Sequence, residues 1–389
     1  QAAEKLRLGK MARLIGLLHD LGKGTADWMS YLRGTGSGHP NHAGLGALYV
    51  HRLWWERETD PEKRQAAQLI SLCIYGHHTG LPDCLSDSGD SPYLNGLREQ
   101  PENDYREAVA NFYVEVATEE ELDELFAEAY KELKEFGLDS RSFNWGMLAR
   151  LLLSILVDAD RWDSACFEYD ANPFETSCEA QPDWDKLLIE LEAYIEKFPK
   201  EGRLAPIRGD ISGWCRAAGE YGPGIYTLSV PTGGGKTYSS LRFALAQAKK
   251  NEQRRIFYLI PMNTILDQNS GDIREALSDY PSILEHHSNI IPEDETEEKH
   301  YRRLTERWES DIILTSLVQF LVTLFKNGNG KARRMYRLVN SVLIFDEIQA
   351  LPKKCRELFK RALQFLVQYC NCTVLLCTAT QPNLELDTK

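Results

Sequence analysis

Long hydrophobic runs are absent from this 389-residue sequence. No apolar stretch approaches the roughly 20 residues that a helix needs to span a bilayer, and no signal-peptide pattern opens the chain. These two absences argue against an integral membrane protein and against a secreted one. We therefore expect a cytoplasmic protein that has no membrane partner.

Paired cysteines and an excess of positive charge are lacking as well. The 9 cysteines are scattered without a C-x-x-C pair, which argues against a disulfide framework and against a zinc module. A net charge of −13 argues against non-specific wrapping of nucleic acid, although it is compatible with a local basic track. Two basic clusters fit either such a track or a solvated helix face: Lys331, Arg333, Arg334 and Arg337, and Lys353, Lys354 and Arg356.

The length of the chain allows two or three domains, and its pattern changes along the sequence. Residues 1–198 have helical patterns, and residues 199–222 contain Gly and Pro without regular periodicity, which predicts a linker. Strands and helices alternate over residues 223–389, which predicts a parallel sheet covered by helices. The predicted strands are 224–230, 255–260, 311–315, 342–345 and 373–378.

A glycine-rich loop follows the first predicted strand. Glycines let consecutive N–H groups point into one concavity, and the next helix adds its positive end, so the loop predicts a site for nucleotide phosphates. Lys236 is expected to supply the mobile charge and Thr237 the hydroxyl for Mg²⁺, although Val230 stands where the motif usually has its first glycine. The predicted nucleotide-binding residues of the loop are Thr232, Gly233, Gly234, Gly235, Lys236 and Thr237.

Two carboxylates end the predicted strand 342–345. In a nucleotide-hydrolysing core the first acid holds the Mg²⁺ shell and the second polarises the attacking water, beside the phosphate loop. Asp346 fits the first role and Glu347 the second, catalytic role. An isolated Asp-Glu pair could equally be a solvated strand end, so the prediction depends on the glycine-rich loop upstream.

Histidines are concentrated near the start of the chain. Several stand at the edges of helix-like runs, together with acidic residues, and imidazole and carboxylate are the ligands of borderline and hard divalent metals. Each residue alone is also explained as a hydrogen-bonded core residue or a helix cap, but their conjunction predicts a site for a pair of ions. The predicted ligands are His19, Asp20, His42, His77, His78 and Asp160, with Asp158 as an alternative to Asp160 and His39 as a further nearby histidine.

The order of these ligands resembles the HD metal-dependent phosphohydrolase superfamily, specifically its nuclease branch. Joined to the glycine-rich loop and to Asp346-Glu347, it resembles the CRISPR-associated helicase-nucleases of type I interference. Three further stretches resemble conserved parts of that family's helicase, at residues 258–264, 285–289 and 378–382. Because the metal-ligand set and the nucleotide-binding set are independent, their joint occurrence favours this family.

The resemblance implies a multidomain fold, with an all-α HD nuclease domain at 1–198, a linker at 199–222 and the first RecA-like lobe of a superfamily 2 helicase at 223–389. It implies cleavage of single-stranded DNA coupled to translocation driven by ATP with Mg²⁺. The implied partner is an RNA-guided surveillance complex (Cascade) bound to target DNA. The divalent ions, whether Mg, Mn, Fe, Co or Ni, are then bridged by Asp20, with His19 and Asp160 on one ion, with His42, His77 and His78 on the other, and with Lys23 on a phosphate.

Two parts expected of this family are not found in the sequence. A second RecA-like lobe does not follow residue 380, and no histidine precedes His19. We therefore expect slow ATP hydrolysis, no unwinding by the chain as given and one incomplete metal position. Two other functions stay open at this point: an HD nucleotide phosphohydrolase with an accessory P-loop module, and a non-enzymatic scaffold.

Overall fold

The computed structural model describes residues 2–36, 42–168, 181–231, 233–261, 263–278, 280–287 and 294–379. Two compact units are present, each with its own core. The helical unit contains Gln1–Pro173 together with Lys326–Tyr336, and the sheet unit contains Phe174–Phe325 together with Arg337–Lys389.

The helical unit consists of amphipathic helices whose ends are set by local chemistry. Helix α8, for example, begins at a capping box formed by Thr118 and Glu121 and ends at Gly137, which has a left-handed conformation. A π-helical turn, His51–Glu56, continues α4. The helices are α1 (Ala2–Lys5), α2 (Gly9–Leu18), α3 (Ala26–Leu32), α4 (Ala43–Val50), α5 (Pro61–Tyr75), α6 (Pro92–Arg98), α7 (Glu102–Glu115), α8 (Glu119–Phe136) and α9 (Ser142–Glu168).

Helix α9 is the longest element of the helical unit. Contrary to the expectation from sequence, its span Ser142–Phe167 is long and apolar enough to cross a membrane by length and composition alone, but 67% of its most apolar window is buried inside the protein. Buried core helices of soluble proteins pass the same test. The helix also places polar residues inside the unit, since Ser154 and Asp158 are both buried.

The sheet unit contains a six-stranded parallel sheet in the order β1-β6-β5-β2-β4-β3. Its inner strands are almost entirely apolar because helices cover both faces. The strands are β1 (Ile225–Ser229), β2 (Arg255–Ile260), β3 (Ile283–His286), β4 (Ile312–Ser316), β5 (Ser341–Phe345) and β6 (Thr373–Thr378). The helices of this unit are α10 (Trp184–Ile195), α11 (Ala205–Ala218), α12 (Lys236–Lys250), α13 (Asn263–Ala276), α14 (Glu295–Arg307), α15 (Leu317–Phe325) and α17 (Arg356–Tyr369). The short helix α16 (Asn329–Ala332) precedes α17 in sequence and belongs to the helical unit.

The predicted parallel sheet and its five strands are confirmed, with shifts of one residue at some ends. Strand β3 was not predicted. It has only four residues and ends in Glu285 and His286, so it lacks the apolar run from which the other strands were predicted.

The boundaries at 198 and 222 differ from those of the structure. Residues 199–222 are not a linker, because α11 lies within them and packs with α10 against α12 of the sheet unit. The indole of Trp184 donates a hydrogen bond to the carbonyl of Gln253 at 2.7 Å. Gly209 and Gly213 suggested irregular chain, but both are within α11, at positions where a Cβ would meet nothing within 4 Å.

The first basic cluster is neither a surface track nor a solvated helix face. Arg333, Arg334 and Arg337 are all buried, with at most 7% of each exposed, whereas Lys331 is exposed. Arg333 lies in the helical unit and forms an ion pair with Asp158 at 2.8 Å. A buried charge needs such a partner, which explains why this arginine stands within an otherwise apolar setting.

Candidate metal centre and nucleotide site

Three helix ends bring the predicted histidine ligands together in the helical unit. His19 caps the C-terminus of α2, His42 directly precedes α4, and His77 follows the Gly76 cap of α5. Two glycines allow the close approach of these elements. A Cβ at Gly22 would lie 2.3 Å from the carbonyl oxygen of His42, and one at Gly46 would lie 2.1 Å from that of Leu18. Any other residue at these positions would push α4 away from α2.

Asp20 is at the centre of the cluster. Its Oδ2 atom lies 3.1 Å from His19 Nε2 and 2.6 Å from Lys23 Nζ. Its Oδ1 atom lies 3.5 Å from His42 Nε2 and 4.0 Å from His77 Nε2. The two oxygens of one carboxylate therefore face different imidazoles, which is the arrangement of a bridging ligand.

Backbone carbonyls orient two of the imidazole rings. His19 Nδ1 lies 2.7 Å from the carbonyl of Gly16, and His77 Nδ1 lies 2.7 Å from that of Ile74. Each Nδ1 donates a proton to its carbonyl, so in the neutral form of each ring the lone pair is on Nε2, the atom nearest Asp20. A second-shell carbonyl of this kind fixes the tautomer of metal-binding histidines.

Three buried atoms at this centre make no hydrogen bond within the described part of the chain: His19 Nε2, Asp20 Oδ1 and His77 Nε2. Leaving buried polar atoms unsatisfied costs on the order of 1–3 kcal/mol each, so such atoms indicate a missing partner. All three are metal-ligating atom types that converge on one place. The residues therefore fit a divalent ion.

The ligand atoms form two overlapping groups. His19, Asp20 and His77 make one, and His42, His77 and His78 make the other, with the ligand atoms of each group within 4.8 Å of one another. His42 Nε2 and His78 Nε2 are 2.7 Å apart, so one of the two rings carries a proton between them. His77 thus lies with both groups, whereas the sequence predicted it with His42 and His78 alone.

The two candidate aspartates of α9 have different surroundings. Asp160 Oδ1 lies 3.8 Å from His19 Nε2, at the edge of the cluster. Asp158 accepts hydrogen bonds from Arg333 at 2.8 Å and from the Tyr336 hydroxyl at 2.6 Å. The geometry favours Asp160 as the ligand. His39 lies outside the described residues.

The electrostatics keep the carboxylates ionised and the inner histidine neutral. Burial raises the pKa of Asp20, but His19 and Lys23 outweigh it and hold that pKa well below its usual range. Burial lowers the pKa of His19, yet Asp160 and Asp20 raise it overall to about 9. Burial lowers the pKa of His77 to about 4. A neutral imidazole and an ionised carboxylate are the forms that bind metal.

The glycine-rich loop of the sheet unit joins β1 to α12. Gly233 and Gly235 both have φ of +80°, a left-handed conformation that other residues rarely adopt. The guanidinium of Arg208 donates to the carbonyl of Gly233 at 2.8 Å. A Cβ at Gly234 would lie 2.2 Å from a methyl of Val230, so the residue at the motif's first position packs against the loop. Thr232 lies outside the described residues.

Lys236 and the two predicted acids meet at the carboxyl end of the sheet. Lys236 Nζ forms an ion pair with Glu347 and lies 3.7 Å from Asp346 Oδ1. Burial raises the pKa of the Asp346 carboxyl. Burial also raises the pKa of Glu347, but Lys236 outweighs it and lowers that pKa overall. Lys236 is the first residue of α12 and Thr237 the second, so the phosphate loop and the acids meet at one edge of the sheet.

Further residues of this site were not predicted from sequence. Gln349 donates to Glu347 and accepts a hydrogen bond from Thr378 at 2.7 Å. Tyr258 is fully buried in β2, and its hydroxyl lies 3.4 Å from Asp346 Oδ2 and 3.4 Å from the Ser240 hydroxyl. A polar side chain within an apolar strand was the available signal in the case of Tyr258.

Comparisons with known proteins find a helicase family and a Cas3 relative. A DEAD/DEAH box helicase family model matches residues 224–387. The CRISPR-associated nuclease/helicase Cas3 of Haloferax volcanii is 24% identical over 437 residues, which covers 95% of this chain and 45% of the relative. The chain is a homologue of Cas3. It spans less than half the length of the Cas3 relative that it matches.

Solved Cas3 structures share the fold of this chain. The crystal structure of T. fusca Cas3-ATP matches with a TM-score of 0.61 at 17% identity, covering 96% of this chain and 44% of that one. T. fusca Cas3-ADP matches with a TM-score of 0.60 at 16% identity, covering 97% and 45%. A CRISPR RNA-guided surveillance complex in a pre-nicking state contains a chain that matches with a TM-score of 0.54 at 18% identity, covering 98% and 42%.

Proposed function

We propose that this chain is the nuclease and ATP-binding part of a Cas3-type enzyme that degrades invading DNA in CRISPR antiviral defence. The helical unit is a metal-dependent single-stranded DNA nuclease of the HD type, and the sheet unit is the first RecA-like lobe of an ATP-dependent DNA translocase. The observation that carries the nuclease assignment is the convergence of His19 Nε2, Asp20 Oδ1 and His77 Nε2, buried and without hydrogen bonds among the described residues.

The nuclease chemistry follows from what these residues can hold. Two divalent ions would be held by His19, Asp20, His42, His77, His78 and Asp160. When bound, they supply an activated water near neutral pH and stabilise charge on the attacking and leaving oxygens of a phosphodiester. Asp20 faces His19 with one oxygen and His42 with the other, so it could bridge the two ions, and its lowered pKa keeps it ionised. Half-exposed Lys23, 2.6 Å from Asp20, is placed to neutralise a non-bridging oxygen of the substrate phosphate.

The nucleotide chemistry belongs to the sheet unit. The loop Gly233 to Thr237 would bind the β- and γ-phosphates of ATP, with Lys236 leaving Glu347 for the phosphate oxygens. Asp346 would then hold the Mg²⁺ shell and Glu347 would orient the attacking water. Gln349 contacts Glu347 and would keep that carboxylate in place.

The proposed partners follow from the relatives. This chain matches one chain of an RNA-guided surveillance complex, and we infer that it acts on DNA that such a complex (Cascade) has bound. Displacement of one strand by the guide RNA would supply the single-stranded substrate. We place this activity in the cytoplasm, without a membrane partner, because the helix that could cross a membrane by composition packs mainly inside the helical unit.

A digestion experiment tests the nuclease against an HD nucleotide phosphohydrolase. We expect the chain with Mn²⁺ to cleave circular single-stranded DNA, because all the proposed metal ligands lie in its helical unit. Addition of EDTA should stop the cleavage, because EDTA removes the ions. Circular DNA has no ends, so its cleavage also establishes endonuclease activity. Release of nucleoside from a mononucleotide with circular DNA left intact would overturn the proposal in favour of the phosphohydrolase.

A further inference from the structure

One segment of the helical unit lies, in sequence, between two elements of the sheet unit. Residues 326–336 lie between α15 and β5 in sequence, and both of these elements belong to the sheet unit. The segment itself packs within the helical unit, against α9 and against the turn that carries His77 and His78. This placement is not required by the sheet, because the strands on either side pair without it.

The segment holds the backbone of the histidine turn. The side-chain amide of Asn329 donates a hydrogen bond of 2.6 Å to the carbonyl oxygen of His77. Two glycines make close contact next to it, since a Cβ at Gly80 would lie 2.7 Å from the backbone of Gly328. Both glycines have positive φ, +100° and +91°. The contact therefore fixes the backbone of His77, whose imidazole is held through Nδ1 by the carbonyl of Ile74.

The same segment also contacts the turns of α9 that precede Asp160. The hydroxyl of Ser154 donates to the carbonyl of Arg333 at 3.1 Å and accepts from the backbone N–H of Tyr336 at 2.9 Å. One turn further on, buried Asp158 accepts from the guanidinium of Arg333 and from the hydroxyl of Tyr336. Asp158 is two residues from Asp160, so these bonds fix the part of α9 from which that candidate ligand projects.

We propose that segment 326–336 is a positioning element of the metal centre, in which Asn329 fixes the His77-His78 turn while Arg333 and Tyr336 fix α9 beside Asp160. The inference rests on the proposed function, because it assigns these contacts to metal ligands. The segment holds two parts of the ligand set at once, the histidine turn and the stretch of α9 that precedes Asp160. A segment that interrupts the sequence of the ATP-binding lobe is thereby part of the proposed nuclease site.

The expected effect is on metal affinity. Residues that orient metal ligands typically change affinity by about 10- to 100-fold when they are replaced. Asn329→Asp keeps the shape of the side chain but removes the donor and places an acceptor against the carbonyl of His77. Asn329→Ala removes the side chain. We expect both variants to bind Mn²⁺ about 10- to 100-fold more weakly than the wild-type chain.

The matched control is Asn144→Ala in the same unit. Asn144 is buried at the start of α9, and its amide donates to Asp139 at 2.9 Å, so the variant also loses an amide hydrogen bond. It lies sixteen residues before Asp160, which is about 24 Å along a helix. We expect it to bind Mn²⁺ as the wild-type chain does, even where its unfolding temperature without metal is lower.

Calorimetric titration with Mn²⁺ alone, with unfolding measured in the absence of metal, decides between the outcomes. Weaker binding in the Asn329 variants but not in Asn144→Ala supports the proposal. Unchanged Mn²⁺ affinity in folded Asn329→Asp overturns it, even if that variant is less stable, because a purely structural role predicts that result. If Asn329→Ala does not fold, the isosteric variant decides alone. Absence of Mn²⁺ binding by the wild-type chain would instead overturn the proposed function, and this inference with it.

Discussion

Asp20→Ala is expected to reduce metal-dependent cleavage of single-stranded DNA by about 10³-fold or more. Asp20 is the residue whose two oxygens face both ligand groups, at 3.1 Å from His19 and 3.5 Å from His42. Its removal would take a ligand from each ion and the partner from Lys23. Because Asp20 and Lys236 belong to different compact units, ATP affinity should stay unchanged. Initial rates on circular single-stranded DNA and an ATP titration measure the two effects.

Asp87→Ala is the matched control for this variant. Asp87 is an exposed aspartate of the same unit, so the substitution removes the same charge away from the cluster. Cleavage by Asp87→Ala should equal that of the wild-type chain. A wild-type cleavage rate for Asp20→Ala at saturating Mn²⁺ would contradict the assignment of Asp20.

Lys236→Ala is expected to weaken ATP binding by about 10²- to 10³-fold, since truncating one partner of a buried charge pair costs roughly 2–5 kcal/mol. Only 11% of the Lys236 side chain is exposed, and its ammonium group lies among the loop and two carboxylates. Without it, Asp346 and Glu347 would repel the phosphates. Metal-dependent cleavage of DNA that is already single-stranded should be unaffected. Equilibrium binding of a fluorescent ATP analogue gives the affinity.

Lys249→Ala is the control on the same helix. Lys249 is near the C-terminal end of α12, is half exposed and pairs with Asp185, so it carries the same charge away from the loop. ATP affinity should be retained in this variant. Equal loss of ATP binding and of DNA cleavage in Lys236→Ala would mean that the two sets of residues form a single site.

The sequence was sufficient for features that depend on neighbouring residues. The glycine-rich loop and the Asp-Glu pair follow apolar strands directly, and the parallel sheet brings those strand ends to one edge. The histidine cluster was predicted from helix ends in the same way. Its internal arrangement was not predicted, since the position of His77 between two ligand groups depends on how α2, α4 and α5 pack.

Features that depend on contacts between distant residues were not predicted. Nothing near Asp158 in sequence indicates that it pairs with Arg333, 175 residues away. Charge clustering alone could not show that Arg334 and Arg337 are buried. Likewise, Gly209 and Gly213 indicate a loop from the sequence alone, whereas the packing of α11 on α12 shows that they belong to a helix. Propensity is a weak guide where tertiary packing decides.

Anomalous X-ray scattering from crystals of the wild-type chain soaked in Mn²⁺ would locate the ions of the proposed nuclease site. We expect two Mn²⁺ peaks in the helical unit, both bound by Asp20 at about 2.0–2.2 Å, the usual range for metal–oxygen bonds of this kind. His19 and His77 should contribute nitrogen ligands to the pair, as should His42 and His78. A map with no peak at Asp20, or with peaks only at exposed carboxylates elsewhere, would show that these residues do not form a metal centre.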